Sequence, residues 1–237
     1  MNKIITGKPK DIFAKILIWF FSLTTLGTLA CIIGYIVYNG AGYINWDFIT
    51  TINKPNEGLN GIFPMIISTL YMIAVTVIIS TPVGVCAAIY LVEYSKPGKF
   101  LKTIRFAVET LSGIPSIIYG LFGFLFFVTL MQLGFSLISG ALTLSIMVLP
   151  TIIRTTEEAL KSVPVSYREG SLALGASKLT TIIRVVLPCT IPGILTSVIL
   201  SVGRIVGETA ALIFTSCIVP RTPESLMSSG RTLALHL

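Results

Sequence analysis

Long runs without a single charge alternate along this chain with shorter polar stretches. The first run, residues 16–38, has 23 residues, about 35 Å of helix at 1.5 Å per residue. That is enough to cross the ~30 Å hydrocarbon core of a bilayer. It is also longer than the ~7–15 apolar residues of a signal peptide, so an uncleaved first span is expected. Residues 61–92 hold 32 uncharged positions, about 48 Å of helix. One span bracketed by Pro64 and Pro82 is predicted, with the remainder running on toward Lys99. Residues 110–153 hold 44 uncharged positions, about 66 Å, which predicts two spans and a tight turn near Gln132-Leu133-Gly134. Residues 154–190 are the longest charged segment, and Pro164 and Pro188 bracket a helix predicted over 165–186. A fifth span is expected from near Ile191, through Arg204 and Glu208, to about Phe214.

The fold class this predicts is all-α: a polytopic helical membrane protein with about five spans and one transmembrane domain over 1–237. Within it, 1–60 forms the first span and an external loop, 61–214 the core, 154–190 a cytoplasmic loop and 215–237 an external tail.

Composition agrees with that reading. Apolar residues make up 54% and charged residues 11%, less than half the ~25% charge of soluble domains, and mean hydropathy is +0.90. A soluble enzyme, a disordered chain and a secreted disulfide scaffold are excluded. The net charge of +7 reflects topology, because 13 of the 17 Lys and Arg fall in three segments. Lys3, Lys8, Lys10 and Lys15 precede the first span; Lys96, Lys99, Lys102 and Arg105 follow the second; Arg154, Lys161, Arg168, Lys178 and Arg184 precede the fifth. By the positive-inside rule these segments and the N-terminus are cytoplasmic. No basic run is interleaved with aromatics, so nucleic acid is not an expected partner.

Enzyme chemistry finds little to work with. The four cysteines, Cys31, Cys86, Cys189 and Cys217, have no ligand spacing, and His236 is the one histidine, so no metal site is expected. The phosphate-cradling GxxxxGK[ST] loop is absent: Gly7-Lys8 and Gly98-Lys99 are followed by Pro and Phe. No cofactor is expected on this chain, and any ATP is used by a partner subunit.

Two segments carry function. In the cytoplasmic loop, Tyr167-Arg168-Glu169-Gly170-Ser171 leads through Gly175 and Lys178 to Leu187-Pro188. Small residues on a short amphipathic helix suit docking into a groove of a soluble partner, and an interfacial helix lying on lipid is the other reading. In the fifth span, Arg204 and Glu208 stand at i, i+4, where a pair can partly neutralise itself, beside the Gly203–Gly207 GxxxG that permits close helix contact. Intramembrane charge costs about 2.5–3.5 kcal/mol per residue. A polar substrate pathway is one reading; a silent ion pair or a snorkelling arginine is the other. Glu109 is placed at the cytoplasmic start of the third span. Gly113, Gly120 and Gly123 are expected to allow helix packing and Pro115 a local break.

The loop resembles the EAA loop of ABC importer permeases, EAA-x3-G-x9-I-x-LP. Glu169 and Gly175 keep the spacing, Val185 stands at the Ile position, Leu187-Pro188 at the LP, and Gly170-Ser171 replace the alanine pair. Gly203-Arg204-Ile205-Val206-Gly207-Glu208-Thr209-Ala210 resembles the GRxxGETA segment of phosphate importer permeases. So do the segments Ser112-Gly113-Ile114-Pro115-Ser116-Ile117-Ile118-Tyr119-Gly120-Leu121-Phe122-Gly123 and Ala87-Ala88-Ile89-Tyr90-Leu91-Val92-Glu93-Tyr94. GETA followed by Leu-Ile-Phe-Thr is similar to the A-type subunits of that family. The resemblance implies the type I, MetI-like permease bundle, with Glu169 to Gly175 seated in an ATPase and Arg204 and Glu208 on the anion path. It also implies a sister permease subunit, two copies of a cytoplasmic ATP-binding subunit, an external phosphate-binding protein and surrounding membrane lipid. A sixth span is expected in the family, and the chain is read as stopping before it. An ABC permease for molybdate or sulfate, and a partner-free secondary anion transporter, are the alternatives.

Overall fold

A computed structural model describes residues 9–54, 59–216, 219 and 222–236; Lys3, Gly7, Lys8, Glu57, Cys217, Pro220 and Arg221 lie outside them. Contacts divide the chain into residues 1–50 and 51–237. In the first unit, α1 (Pro9–Gly40) is an unbroken helix. Its apolar side chains are exposed along its whole length, Trp19 and Tyr35 each at 73%, as suits a helix whose surroundings are lipid. A short α2 (Trp46–Thr50) closes this unit.

The second unit opens with a two-residue antiparallel ladder, β1 (Asn53–Lys54) against β2 (Leu59–Asn60). Then α3 (Phe63–Ile89) runs through the interior Pro82 and continues as a π-helical turn over Tyr90–Tyr94. Pro82 therefore lies inside the helix and does not end it; interior prolines are tolerated in membrane helices, where neighbours re-satisfy the freed backbone groups.

The third apolar segment begins differently from the prediction. The amphipathic α4 (Lys99–Ser112) ends at Gly113, and α5 (Ser116–Gly123) starts after Pro115, which is extended at φ −58°, ψ 140°. The helices on either side of this break are bent by 100°. Pro115 forces the break because it cannot donate into a continuing helix. Tyr119 Oη donates to the Leu111 carbonyl at 2.7 Å, which also accepts from Ile114 N at 3.2 Å, so α5 is tied back to the end of α4. A π-helical stretch over Phe124–Leu130 completes α5. The apolar part after the bend, Ser116–Leu130, is only about 22 Å long.

The turn falls where the sequence places it, with Gln132 at φ 55° and Gly134 at φ 64°. Ser136 then caps α6 (Leu137–Ser162), its Oγ accepting from Ser139 N. This helix is the centre of the bundle. Met147, Val148 and Ile152 are fully buried, packed with Met72 of α3 and with Tyr119, Ile205, Ala211 and Leu212. After α7 (Val165–Ala173) and α8 (Lys178–Thr181), a π turn over Ile182–Val186 leads into α9 (Leu187–Val206). The last span is thus one 29-residue helix, Lys178–Val206. Two expectations are corrected here: there is no single helix over 165–186, and Leu187-Pro188 lie within the span instead of ending a loop. The π turn carries the change, since Pro188 deprives the carbonyl of Arg184, inside that turn, of its usual donor.

The short α10 (Ala210–Ile213) and α11 (Leu233–His236) complete the described structure. The tail folds back on the bundle: Leu226 and Ser228 carbonyls accept from Ile138 and Leu137, and Leu233 N donates to Thr69 Oγ1 at 3.0 Å. Four helices are long and apolar enough to cross a membrane, and a fifth crossing is counted if the bent pair is one span.

Candidate functional site: two glycine corners

The loop glycines and serines acquire definite roles. At the end of α7, Gly175 N donates to Leu172 O at 2.9 Å and Ala176 N to Ser171 O at 3.2 Å, with Gly175 at φ +82°. This is a Schellman cap, which needs a left-handed residue one place past the helix. The six-residue step from Glu169 to Gly175 is therefore one and a half helical turns and a stop. Ser177 caps α8 by accepting from Thr180 N at 3.2 Å. Ser171 Oγ and Thr181 Oγ1, 2.9 Å apart, tie the two short helices together. Glu169 and Gly170 are exposed, and a Cβ at Gly170 would meet nothing within 4 Å. Beside them Tyr167, Leu172 and Leu174 are exposed at 52%, 49% and 89%.

Three charged residues to which the sequence reading gives no site role anchor this corner. Arg168 donates from Nε to Glu93 Oε1 at 2.9 Å, from Nη1 to Val163 O at 2.8 Å and from Nη2 to Leu160 O at 2.8 Å. Lys178 Nζ donates to the Glu93 carbonyl and stands 4.9 Å over the Tyr94 ring. Glu93 and Arg168 are 75 positions apart, so no local pattern pairs them.

A second charged cluster joins α4 to α6. Glu157 lies 2.6 Å from Arg105 and 2.7 Å from Lys161, and Glu109 lies 3.3 Å from Arg154. They line a cavity of about 220 Å³. Arg105, Arg154 and Lys161 balance Glu109, Glu157 and Glu158, so the cluster is neutral overall.

The other corner is at Arg204 and Glu208. The helix ends at Val206, so Glu208 is beyond it and the two do not share a helix face. Glu208 is 9% exposed, and its Oε1 accepts from Ala211 N at 3.1 Å, capping α10. Among the described residues Arg204 makes no ion pair, although it lies within electrostatic range of Tyr119. The expected mutual neutralisation is replaced by a capped carboxylate and a half-buried guanidinium.

The glycines divide into two groups. A Cβ on Gly120 would come within 2.8 Å of Ala211 Cα, and one on Gly123 within 2.1 Å of Thr143 Oγ1. These two let α10 and α6 approach α5. A Cβ on Gly203 would meet nothing within 4 Å, and one on Gly207 or Gly113 would meet only its own turn. The close contact expected at Gly203, Gly207 and Gly113 is not made among the described residues. Gly113 and Pro115 mark the α4–α5 break. Among the described residues no three His, Cys, Asp or Glu side chains are grouped to hold a metal.

The binding-protein-dependent transport system inner membrane component family matches residues 80–216. Probable ABC transporter permease protein YqgI of Bacillus subtilis (strain 168) is 36% identical over the whole chain and 84% of its own length. The phosphate transport system permease protein PstA homolog of Mycoplasma pneumoniae is 34% identical over the whole chain and 36% of its own length. The phosphate transport system permease protein PstA of Mycobacterium leprae is 38% identical over 67% of this chain and 52% of its own. The chain thus spans between about a third and a half of those two phosphate relatives. Among solved structures, an inward-facing MetNI methionine ABC transporter matches with a TM-score of 0.52 and 24% identity, covering 66% of this chain and 74% of that one. That likeness concerns the fold.

Proposed function

This chain belongs to the family of inner-membrane components of binding-protein-dependent transport systems, and on that premise we propose that it is the permease subunit of an ATP-driven phosphate importer. Members of the family are multi-pass membrane permeases of ABC importers, with ATP hydrolysis carried by a separate subunit. Here the N-terminus and α7 face the cytoplasm. The proposed partners are a sister permease, two copies of an ATP-binding subunit and an external phosphate-binding protein.

The observation that carries the reading is the exposed α7, stopped by the Gly175 cap. It offers Tyr167 and Leu174 at i−3 and i+4 from the open Gly170, on one face, with Leu172 exposed elsewhere on the same helix, an apolar surface for a cytoplasmic partner to grip. ATP-driven closure of that partner moves α7 and, with it, the spans. For the substrate, Arg204 supplies a guanidinium that can bind an oxyanion bidentately. Glu208 lies close by in the sequence, and a carboxylate repels a dianion unless the anion still has a proton to donate. Hydrogen phosphate has one at neutral pH and sulfate does not. The relatives named as phosphate permeases support the same choice. The first relative named, matched over the whole chain, carries no substrate in its name, which keeps a permease for another oxyanion as the second reading.

The test is uptake by the complete complex in proteoliposomes loaded with ATP. Labelled phosphate is expected to accumulate and to resist competition by sulfate or molybdate. Equal transport of sulfate, unaffected by Glu208→Gln, would reject phosphate as the substrate.

A further inference from the structure

The helix that meets the cytoplasm is fastened to the bundle chiefly through one side chain. The guanidinium of Arg168 uses all three of its nitrogens: on Glu93, which sits in the π turn extending α3, and on the carbonyls of Leu160 and Val163, at the end of α6. The Arg168 side chain is 18% exposed and that of Glu93 9%, so water competes little for these bonds. The cation also faces the C-terminal carbonyls of α6, the favourable end of that helix dipole. Below it Ala88, Leu160, Val163 and Val186 form a small apolar cluster belonging to α3, α6 and the start of the last span. Lys178 grips the same turn of α3 from the other side.

Resting on the permease reading above, we propose that Arg168 is the joint through which α7 moves α3 and α6 together, a positioning residue for transport. The chemistry requires an arginine. Its planar fork reaches three separate acceptors at once, whereas a lysine ammonium is a point charge on a flexible stem. Without the fork, α7 is still tethered through Val163-Pro164 and still capped at Gly175. It can therefore hold its partner yet slip against the spans.

The experiment uses the whole complex in proteoliposomes, measuring phosphate moved and ATP hydrolysed in the same vesicles. Arg168→Gln is expected to retain the ATPase subunit and most hydrolysis, while phosphate moved per ATP falls about tenfold. Arg168→Lys should recover part of that ratio. Glu93→Gln keeps the bonds to α6 and should lose less; it takes the place of Arg168→Gln if that complex does not assemble. An unchanged ratio in whichever of these assembles would overturn the joint. A second readout does not depend on the substrate. Spin labels at Ser166 on α7, exposed and outside the docking residues, and Cys86 on α3, with the other cysteines replaced, report whether the two helices move as one body. Their separation should stay constant on ATP binding in the parent protein and change in Arg168→Gln. Constancy in both would reject the proposal, even if phosphate proved not to be the cargo.

Discussion

Gly175 and Gly207 each stand just past the end of a helix, and the chain completes the two corners in opposite ways. At Gly175 the left-handed backbone closes a full cap, and the nearby Arg168 has all three nitrogens engaged. At Gly207 the backbone is right-handed at φ −86°; Glu208 is spent on capping α10, Arg204 has no ion partner among the described residues, and Gly203 faces open space. A charged group is expensive to keep half-buried and unpaired. The first corner is finished by the chain itself. The second leaves a cation with no ion partner among the described residues, and the proposed anion path rests on that difference.

The largest effect is expected where the comparison is most exposed to failure. Arg204→Ala should cut phosphate uptake about a hundredfold, the scale of losing one preorganised charge-stabilising group, while leaving assembly and thermal stability close to the parent. A matching fall in stability would make Arg204 a structural residue and erase the contrast. Gly123→Val, next in size, should act through folding alone. Its side chain would be forced into Thr143, and overpacking of this kind costs about 1–3 kcal/mol. Lower yield and melting temperature, with normal uptake per folded molecule, are the expected result.

The long elements were legible because uncharged length and helix rise are enough to place α1, α3 and α6. The turn at Gln132 and Gly134 was legible because two short segments must be joined there by backbone that tolerates positive φ. The last span was misread at its start. Pro188 signals a helix end in water, yet the π turn over Ile182–Val186 absorbs the lost bond and the helix runs from Lys178. The six-residue spacing of Glu169 and Gly175 marked the segment but not the local reason for the glycine, which is its φ of +82°. Arg168 with Glu93, and Arg105 with Glu157, were not visible at all. Ion pairs across 75 or 52 positions, as the residue numbers give, leave no periodic trace, and each arginine had already been counted as topology.

Gly175→Ala probes the closed corner directly. An L-residue forced into the left-handed region costs about 1–2 kcal/mol, and nothing lies within 4 Å for a Cβ to strike. The loss should therefore be purely conformational. Asparagine, which tolerates that region better, should recover part of it in a thermal unfolding series. Equal destabilisation by Ala and Asn would show that Gly175 answers to a contact with a partner and not to its backbone.

Gly170→Ala should have the smallest effect on this chain and the opposite sign. Gly170 is inside α7, where replacing glycine by alanine favours the helix by about 1 kcal/mol. Its Cβ would enter space that is open in the chain, so the isolated subunit should be no less stable. Here the resemblance and the geometry meet, since alanine is what the EAA pattern places at this position. If the groove of the ATPase is shaped for a family-type helix, the variant should bind that subunit as well as the parent or better, as read by co-purification. If binding instead weakens while the subunit's own stability holds or rises, then the partner approaches this backbone more closely than a methyl group allows. Gly170 would in that case mark the point of contact. Either result bears on what the two corners are for: the one at Gly175 is closed by its own backbone, and only its outward face remains to be matched.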